Sequence, residues 1–467
     1  STPRLYRQIS AGNRKTYTIS LWFKLGKTPS ADGAAFWSTS PSNDSGYGGN
    51  PSPYNMQFFQ FVSGALEIQD YNVSGNHYVF RKRTNRTFED KSKWYHIVVR
   101  KDTTQSTAAD RVRIYVDGDQ ITSWNTATQP SQNDQGFINQ SGKQNAIGNF
   151  ANVGVSDEAV GHLAEVNFAD GQSYGPDTFG ITDTTTNVWI PKSLSGITYG
   201  THGYRMQFAN AAGQTIGDDT SGQGNDYTPN NFLVSAGVSN DSLIDTPTNT
   251  FCTLNTLTKD SNTTLSDGNL QATGSAGNAY NTNTQGTFAE STGKWYYEVE
   301  FTSGSGVTAV GWCRTTLRNT DNPTTGGGIV YRPANGDYLD LAGNNPSSKP
   351  TTSTGQIIQV AIDFDAGKIW FGSGGTYFES GNPSTGANAA MTFTGGAELL
   401  TPCVRTLGST LKFNFGQRAF SYALPTDFKS LCSNNVPINT PPIIRPQKHF
   451  DVITYSGNGS SPRRISG

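Results

Sequence analysis

The chain has 467 residues, only 15% of them charged, and Lys+Arg 34 against Asp+Glu 36 leave a formal net charge of -2. That balance excludes the overall basic field by which a protein is held on nucleic acid or an anionic membrane. The length accommodates two or three domains, and 52 Gly beside abundant Asn, Thr and Ser mark turn chemistry rather than helix chemistry.

Aromatic bulk for packed cores comes from 25 Phe, 20 Tyr and 8 Trp. No stretch reaches the roughly 20 apolar residues of a membrane span, and the start does not resemble a signal peptide. Ser1 opens the chain, which is therefore read as processed or as preceded by further sequence. Cys252, Cys313, Cys403 and Cys432 never form a CxxC pair, so they read as buried thiols rather than a zinc site or disulfide framework.

In chain order, the first signal is Tyr17, Ile19, Leu21 and Phe23 alternating with Thr16, Thr18, Ser20 and Lys24, which predicts a half-buried strand. Tyr95, Ile97 and Val99 predict a second. Val112, Ile114 and Val116 predict a third, running into Asp117-Gly118, a favoured type I′ turn, with the return strand starting at Ile121. His162, Ala164, Val166 and Phe168 lead to Asp170-Gly171. Residues 213–250 are polar and turn-rich and read as a connector.

Beyond it, Trp295, Tyr297, Val299 and Phe301 alternate with Tyr296, Glu298 and Glu300. The turn residues Ser303 to Gly306 and the apolar run Val307 to Cys313 follow, so these two segments are expected to form a hairpin. Ile358, Val360, Ile362 and Phe364 precede the turn Asp365-Ala366-Gly367, from which Ile369, Trp370 and Phe371 return. Pro437, Pro441, Pro442 and Pro446 favour a stiff extended spacer, and Phe450 to Tyr455 alternates like a strand. No segment of about a dozen residues keeps a helical period. The expected fold is all-β: two antiparallel β-sandwich, jelly-roll-like domains.

The order of GNRKTYTISLWFKLG from Gly12, KWYHIVVR from Lys93, RIYVDGDQIT from Arg113 and GHLAEVNFADGQ from Gly161 resembles the laminin-G/concanavalin A-like lectin fold. The expected first strand is thin before Tyr17, so the opening residues pair elsewhere or sequence lies upstream. GKWYYEVEF from Gly293, VGWC from Val310, IIQVAIDFDAGKIWF from Ile357, TPCV from Thr401 and LKFNFGQRAFSYALPTDFKSL from Leu411 resemble a SPRY domain. The resemblances imply a lectin-like domain over 1–212, the connector 213–250, a SPRY-like domain over 251–432, and a Pro-rich linker with a tail strand over 433–467. A SPRY domain implies peptide or protein recognition through edge loops. With GQGNDYTPNNF from Gly222 and NDSLIDTPTN from Asn240, the whole is similar to fibre-type virion proteins of tailed, particularly marine, bacteriophages.

Candidate chemistry is sparse. Gly171-Gln172-Ser173-Tyr174-Gly175 fits GxSxG, but Pro176, Asp177 and Gly180 continue a loop where a nucleophile elbow needs a helix. Gly304, Gly306 and Ala309 fit a GxGxxA variant in a turn with no helix to receive a pyrophosphate. Glu298 and Glu300 have a spacing suited to glycan hydrolysis but are expected on an outward, solvated strand face. The acidic signature of laminarinase-like members is missing from the first half. His77, His96, His162, His202 and His449 form no metal-binding pair, and His96 and His162 are expected in strands. Asp134, Asp157 and Asp170 are calcium candidates, with loop hydrogen bonding as the plainer role; no other cofactor is expected.

Arg81, Lys82, Arg83 and Arg86, with Lys91 and Lys93 beyond and Tyr78 and Phe80 before, form a basic cluster suited to anionic sugar or phosphate, diluted by Glu89 and Asp90. Tyr47, Tyr54, Trp124 and Phe137 are candidate sugar-stacking rings. Arg314, Arg318, Tyr331, Asn335 and Tyr338 are candidates for the SPRY-type edge. The expected function is a non-enzymatic virion fibre or adhesin. It is expected to bind host-surface glycan or protein, or another virion protein, as a homotrimer, without nucleic acid or a membrane span. The alternatives are a glycan-degrading enzyme and a purely structural head or tail decoration protein.

Overall fold

The computed structural model describes residues 3–26, 34–41, 56–72, 77–148, 161–184, 187–209, 213–235, 240–275, 283–304, 308–344, 350–396 and 398–436. Its regular structure is strand, apart from three single-turn 3-10 helices. The first half supplies β1 (Arg4–Gln8), β2 (Thr16–Leu25), β3 (Ala34–Pro41), β4 (Met56–Val62), β5 (Ala65–Asn72), β6 (His77–Thr87), β7 (Tyr95–Asp102) and β8 (Val112–Val116). It continues with β9 (Asp119–Gln120), β10 (Trp124–Ala127), β11 (Lys143–Ile147), β12 (Gly161–Asp170), β13 (Gly180–Thr182), β14 (Trp189–Pro191), β15 (Tyr204–Met206) and β16 (Thr228–Asn230).

Two antiparallel sheets face one another, in the orders β10-β6-β5-β4-β3-β11-β1-β16 and β15-β12-β2-β7-β8-β9. Between them pack Phe23, Phe36, Phe59, Phe61, Phe88 and Tyr95, each worth about 1.5–3 kcal/mol of burial. The indole N–H of Trp37 donates to the Tyr204 hydroxyl at 2.8 Å, which satisfies this deeply buried donor. The opening residues pair elsewhere than in a leading strand of β2: β1 lies between β11 and β16. The stretch read as a connector thus contributes an edge strand, and Ile216 and Tyr227 enter this core. Asp117 and Gly118 both have positive φ, 52° and 87°, as a type I′ turn requires. Gly118 also lies under the Trp189 ring, where a Cβ would stand 2.7 Å from a ring carbon.

The second half supplies β17 (Thr263–Ser266), β18 (Gln271–Gly274), β19 (Thr284–Gln285), β20 (Lys294–Ser303), β21 (Ala309–Arg314), β22 (Gly328–Arg332) and β23 (Asp337–Leu339). The remaining strands are β24 (Ile357–Asp363), β25 (Lys368–Ser373), β26 (Thr376–Tyr377), β27 (Met391–Thr392), β28 (Leu400–Arg405) and β29 (Thr410–Asn414). One sheet runs β17-β18-β29-β20-β24-β25-β26, with β27 also on β25; the other runs β19-β28-β21-β22-β23. Both halves are therefore antiparallel β-sandwiches.

Three expectations change. β20 and β21 are not a hairpin: β20 pairs with β24 and β29, β21 with β22 and β28, so the chain crosses between sheets there. Alternation fixes which residues share a face but says nothing about which strand lies alongside. β2 is not half-buried, since Thr18, Ser20, Trp22 and Lys24 are buried as fully as the core row. The chain after β12 lies over them; Thr18 Oγ1 donates to the Gln172 carbonyl and accepts from the Tyr174 amide. Glu298 is not on a solvated face either. Tyr296, Ala361, Trp370 and Phe428 form a second apolar layer outside β20, and Glu298 is fully buried beneath the segment that carries Ser421 and Tyr422.

Tyr47, Tyr54, Asp157, Gly306, His449 and the segment 437–467, including Phe450 to Tyr455, lie outside the described residues.

Candidate recognition surfaces and the domain junction

The basic cluster resolves into residues with different fates because β6 alternates between core and outer face. Phe80 and Lys82 point inward. Lys82 is 5% exposed with its Nζ 4.6 Å over the Trp124 ring, and burial pulls its ammonium down to about 8. Arg81 and Arg83 point outward. Arg81 is fixed by Glu67 Oε2, accepting from Nε at 3.1 Å and Nη2 at 2.8 Å, and lies 4.8 Å over the exposed Tyr78 ring. Arg83 Nη2 donates to the Val62 carbonyl at 3.1 Å. Arg86 is exposed, with its guanidinium 5.0 Å over Phe88. Lys91 is buried against the Phe88 carbonyl, and Lys93 donates to Asp117 at 2.7 Å. The outer face thus offers Tyr78 and Arg81 as a guanidinium-and-ring pair, with Arg81 oriented by a buried carboxylate, whereas Arg86 lies by the core rings Phe88 and Tyr95. Trp124 is partly buried against the core, with Lys82 over its ring, and Phe137 is buried.

On the second sandwich, Tyr331 and Tyr338 are strand residues in the core, both 0% exposed, rather than loop residues. The Tyr331 hydroxyl donates to the Pro350 carbonyl at 2.6 Å. Alternation again explains them: aromatic residues in β22 and β23 fill the sandwich, packing 5.6 Å apart. Arg314 makes a bidentate pair with Glu398, its Nη2 donating at 2.6 Å to Oε1. That pairing holds the Glu398 carboxyl below its usual range. Of these candidates, Arg318, 80% exposed and 3.7 Å from Asp321, and Asn335, which donates to Asp337, are the solvent-exposed ones.

Glu298 is buried and engaged in the fold. Glu298 accepts from the Tyr296 hydroxyl at 2.9 Å and from the amides of Ser421 at 2.7 Å and Tyr422 at 2.9 Å, which makes it the tie for the segment covering β20. Ser173 Oγ accepts from Arg100 Nε at 2.6 Å, with no imidazole among its partners in the described structure. Asp170 accepts from the amides of Asn13 and His202 and from Asn139 Nδ2, a loop-fastening role. Asp134 lies instead beside Lys101 and Asp70. Among the described residues no group of three acidic, His or Cys side chains could hold a metal ion.

No sequence motif marks a further buried, charged region, the junction of the two sandwiches. Asp245 is its hub. It is ion-paired with Lys24 of β2, accepts from Trp94 Nε1 at 3.1 Å, and lies 3.6 Å from His162 Nδ1. His162 Nε2 donates to the Gly268 carbonyl of the second half at 3.3 Å. Burial, then the Lys24 charge, pulls this imidazole down to about 4, so it is neutral at pH 7 and Asp245 answers Lys24 alone. Arg418 Nη2 lies 3.1 Å from both carboxylate oxygens of Asp267, and its Nε donates to the Asn240 carbonyl at 2.5 Å. Beside these groups is a cavity of about 340 Å³, lined among others by Leu163, Phe208, Leu243 and Phe232. The only sequence signal was Lys24 itself, a cation on a strand whose neighbours suited burial.

His96, on the outer face of β7, is a second buried imidazole. It stacks on Trp22 at 4.6 Å, accepts from Trp189 Nε1 at 3.0 Å through Nδ1, and meets Ser20 Oγ at 2.8 Å. Burial pulls it down to about 3, so it stays neutral and locks β14 over the sheet.

Residues 6–172 match the concanavalin A-like lectin/glucanases superfamily, and residues 294–418 match the SPRY domain. The chain therefore carries a laminin-G/concanavalin A-like domain followed by a SPRY domain, modules typical of binding or adhesion. Among solved structures, it is similar to the SPRY domain of human HERC1, with 18% identity and a TM-score of 0.28 over 34% of this chain and 96% of that one. It is also similar to the TRIM65 PSpry domain, with 17% identity and a TM-score of 0.29 over 35% of this chain and 89% of that one. No curated protein sequence matches the chain.

Proposed function

We propose that this protein is a bacteriophage virion fibre or adhesin that binds a bacterial surface glycan or protein without chemical turnover. The observation that carries the reading is the outward Tyr78 and Arg81 pair on a lectin-like sandwich. A guanidinium held by a buried carboxylate over an exposed ring suits an anionic saccharide, which offers charge to the one and an apolar face to the other. The similarity of the domain order to tailed-phage fibres supports the virion assignment, with a homotrimer as the assembly and another virion protein as the alternative partner. The engagement of Glu298 in backbone hydrogen bonds supports recognition over glycan hydrolysis.

The test is binding of the labelled full chain to a panel of bacterial lipopolysaccharides and capsular polysaccharides. Saturable, salt-sensitive binding weakened at least tenfold by Arg81→Ala with Tyr78→Ala supports the reading. Binding untouched by that double substitution removes the surface from the account. Light scattering that gives a monomer removes the trimer.

A further inference from the structure

At one end of the first sandwich, two charged side chains point into the core from opposite sheets. Lys101 continues the inward row Tyr95, Ile97 and Val99 of β7, and Asp70 continues the inward row Leu66 and Ile68 of β5. Both side chains are 0% exposed, and Lys101 Nζ lies 3.6 Å from Asp70 Oδ2. Neither Nζ nor Asp70 Oδ1 has a hydrogen-bond partner, and Oδ2 accepts only a long contact from the Phe137 amide at 3.4 Å. The residues opposite the pair in the ladders are Tyr17, across from Lys101, and Phe80, across from Asp70; each ring centroid lies 5.7 Å from Nζ. Gly136 closes the site, since a Cβ there would stand 2.3 Å from both Asp70 Oδ2 and Lys101 Nζ. Asp134 brings a further carboxyl whose charge bears on both groups and whose Oδ2 is buried without a partner.

An ion pair is a poor end state for such a site. Two charges stripped of water need hydrogen bonds on their remaining protons and lone pairs, and these are missing here. Burial instead pushes the Asp70 carboxyl up to about 6 and the Lys101 ammonium down, drawing both toward the neutral acid and amine. An amine held against a carboxyl in a sealed site has already lost the entropy that slows amide formation between free partners.

We propose that Lys101 Nζ and Asp70 Cγ condense into an intramolecular amide that staples β5 to β7 across the sandwich. The amine lone pair attacks Cγ and the C–N bond forms; one Cγ–O bond breaks and that oxygen leaves as water. Starting from ammonium and carboxylate, nitrogen keeps one hydrogen and the two others depart with the oxygen, so charge and atoms balance without an oxidant, reductant or cofactor. Asp134 takes the proton from nitrogen and returns it to the departing oxygen. The staple holds whichever ligand the outer surfaces take.

Intact mass measurement of the purified full chain decides the matter. The expected mass is lower than the sequence mass by one water, about 18 Da. Trypsin is expected to release a branched peptide joining residues 28–81 to residues 101–111, uncut after Lys101. Lys101→Met, which fills the same space without an amine, is expected at its full sequence mass. A wild-type chain at full mass, with residue 101 cleaved normally, overturns the proposal. So does a water deficit that persists in Lys101→Met, which would place the loss elsewhere. Asp134→Asn maturing as fast as wild type would overturn the role given to Asp134.

Discussion

Replacing Asp245 by Ala removes the one carboxylate that answers Lys24 in a space where both side chains are essentially sealed, at 2% and 0% exposure. The variant leaves an unpaired ammonium, a Trp94 indole N–H without its acceptor and a cavity the size of a carboxylate. Breaking a buried pair from one side costs about 3–5 kcal/mol, far more than the ~0–1 kcal/mol of an exposed pair. For domains of this size, about 2–4 °C of melting temperature accompanies each kcal/mol, so the expected fall is roughly 6 to 20 °C by calorimetry. Because Lys24 belongs to the first sandwich and Asp245 to the segment leading into the second, a split of the transition into two is expected as well. The double variant Lys24→Met with Asp245→Leu removes both charges and is expected to recover most of the loss. A single variant within about 0.5 kcal/mol of wild type, the usual range for surface substitutions, would refute the reasoning. So would a double variant as unstable as the single one.

His162 makes acid stability predictable in sign. The unfolded imidazole takes its proton near 6.5 and the folded one near 4, so the stability it contributes is complete above about 6.5 and is lost as pH falls toward 4. Urea midpoints at pH 7 and pH 4.5 should differ more for wild type than for His162→Gln, by up to about 3 kcal/mol; equal differences would count against the burial argument. Glu298→Gln should cost about 1–3 kcal/mol in denaturant, by spoiling acceptors for Ser421 and Tyr422, yet leave polysaccharide binding at its wild-type value. The four cysteines are buried and burial pushes the Cys252 thiol up to about 11, so thiol reagents at pH 8 should label the native chain at none of them and the urea-unfolded chain at all four.

The strands were legible because their inward rows are apolar at every second position, as in Tyr17 to Phe23 and Trp295 to Phe301. What those rows did not carry was the identity of the neighbour. β20 and β21 follow one another in the chain yet belong to different sheets, and the choice is made by long-range pairing with β29 and β28. Nor did they show what covers the second face. Thr18, Ser20 and Glu298 look like solvated positions until the segments after β12 and β29 are laid over them. Tyr331 and Tyr338 were picked as contact residues from their turn-rich surroundings, but a large ring between two short strands of a sandwich is better spent inside. The junction at Asp245 was invisible because its groups, Lys24, Trp94, His162 and Gly268, are brought together only by the docking of one sandwich on the other.

The central claim, recognition without turnover, is tested most directly by incubating the full chain with a bacterial polysaccharide it retains and measuring bound protein and newly released reducing ends in the same sample. The account predicts saturable binding with reducing ends at the level of a protein-free control over many hours. Reducing ends that rise in proportion to protein, and disappear when a single carboxylate is replaced, would contradict it and make the first sandwich a glycan-cleaving enzyme.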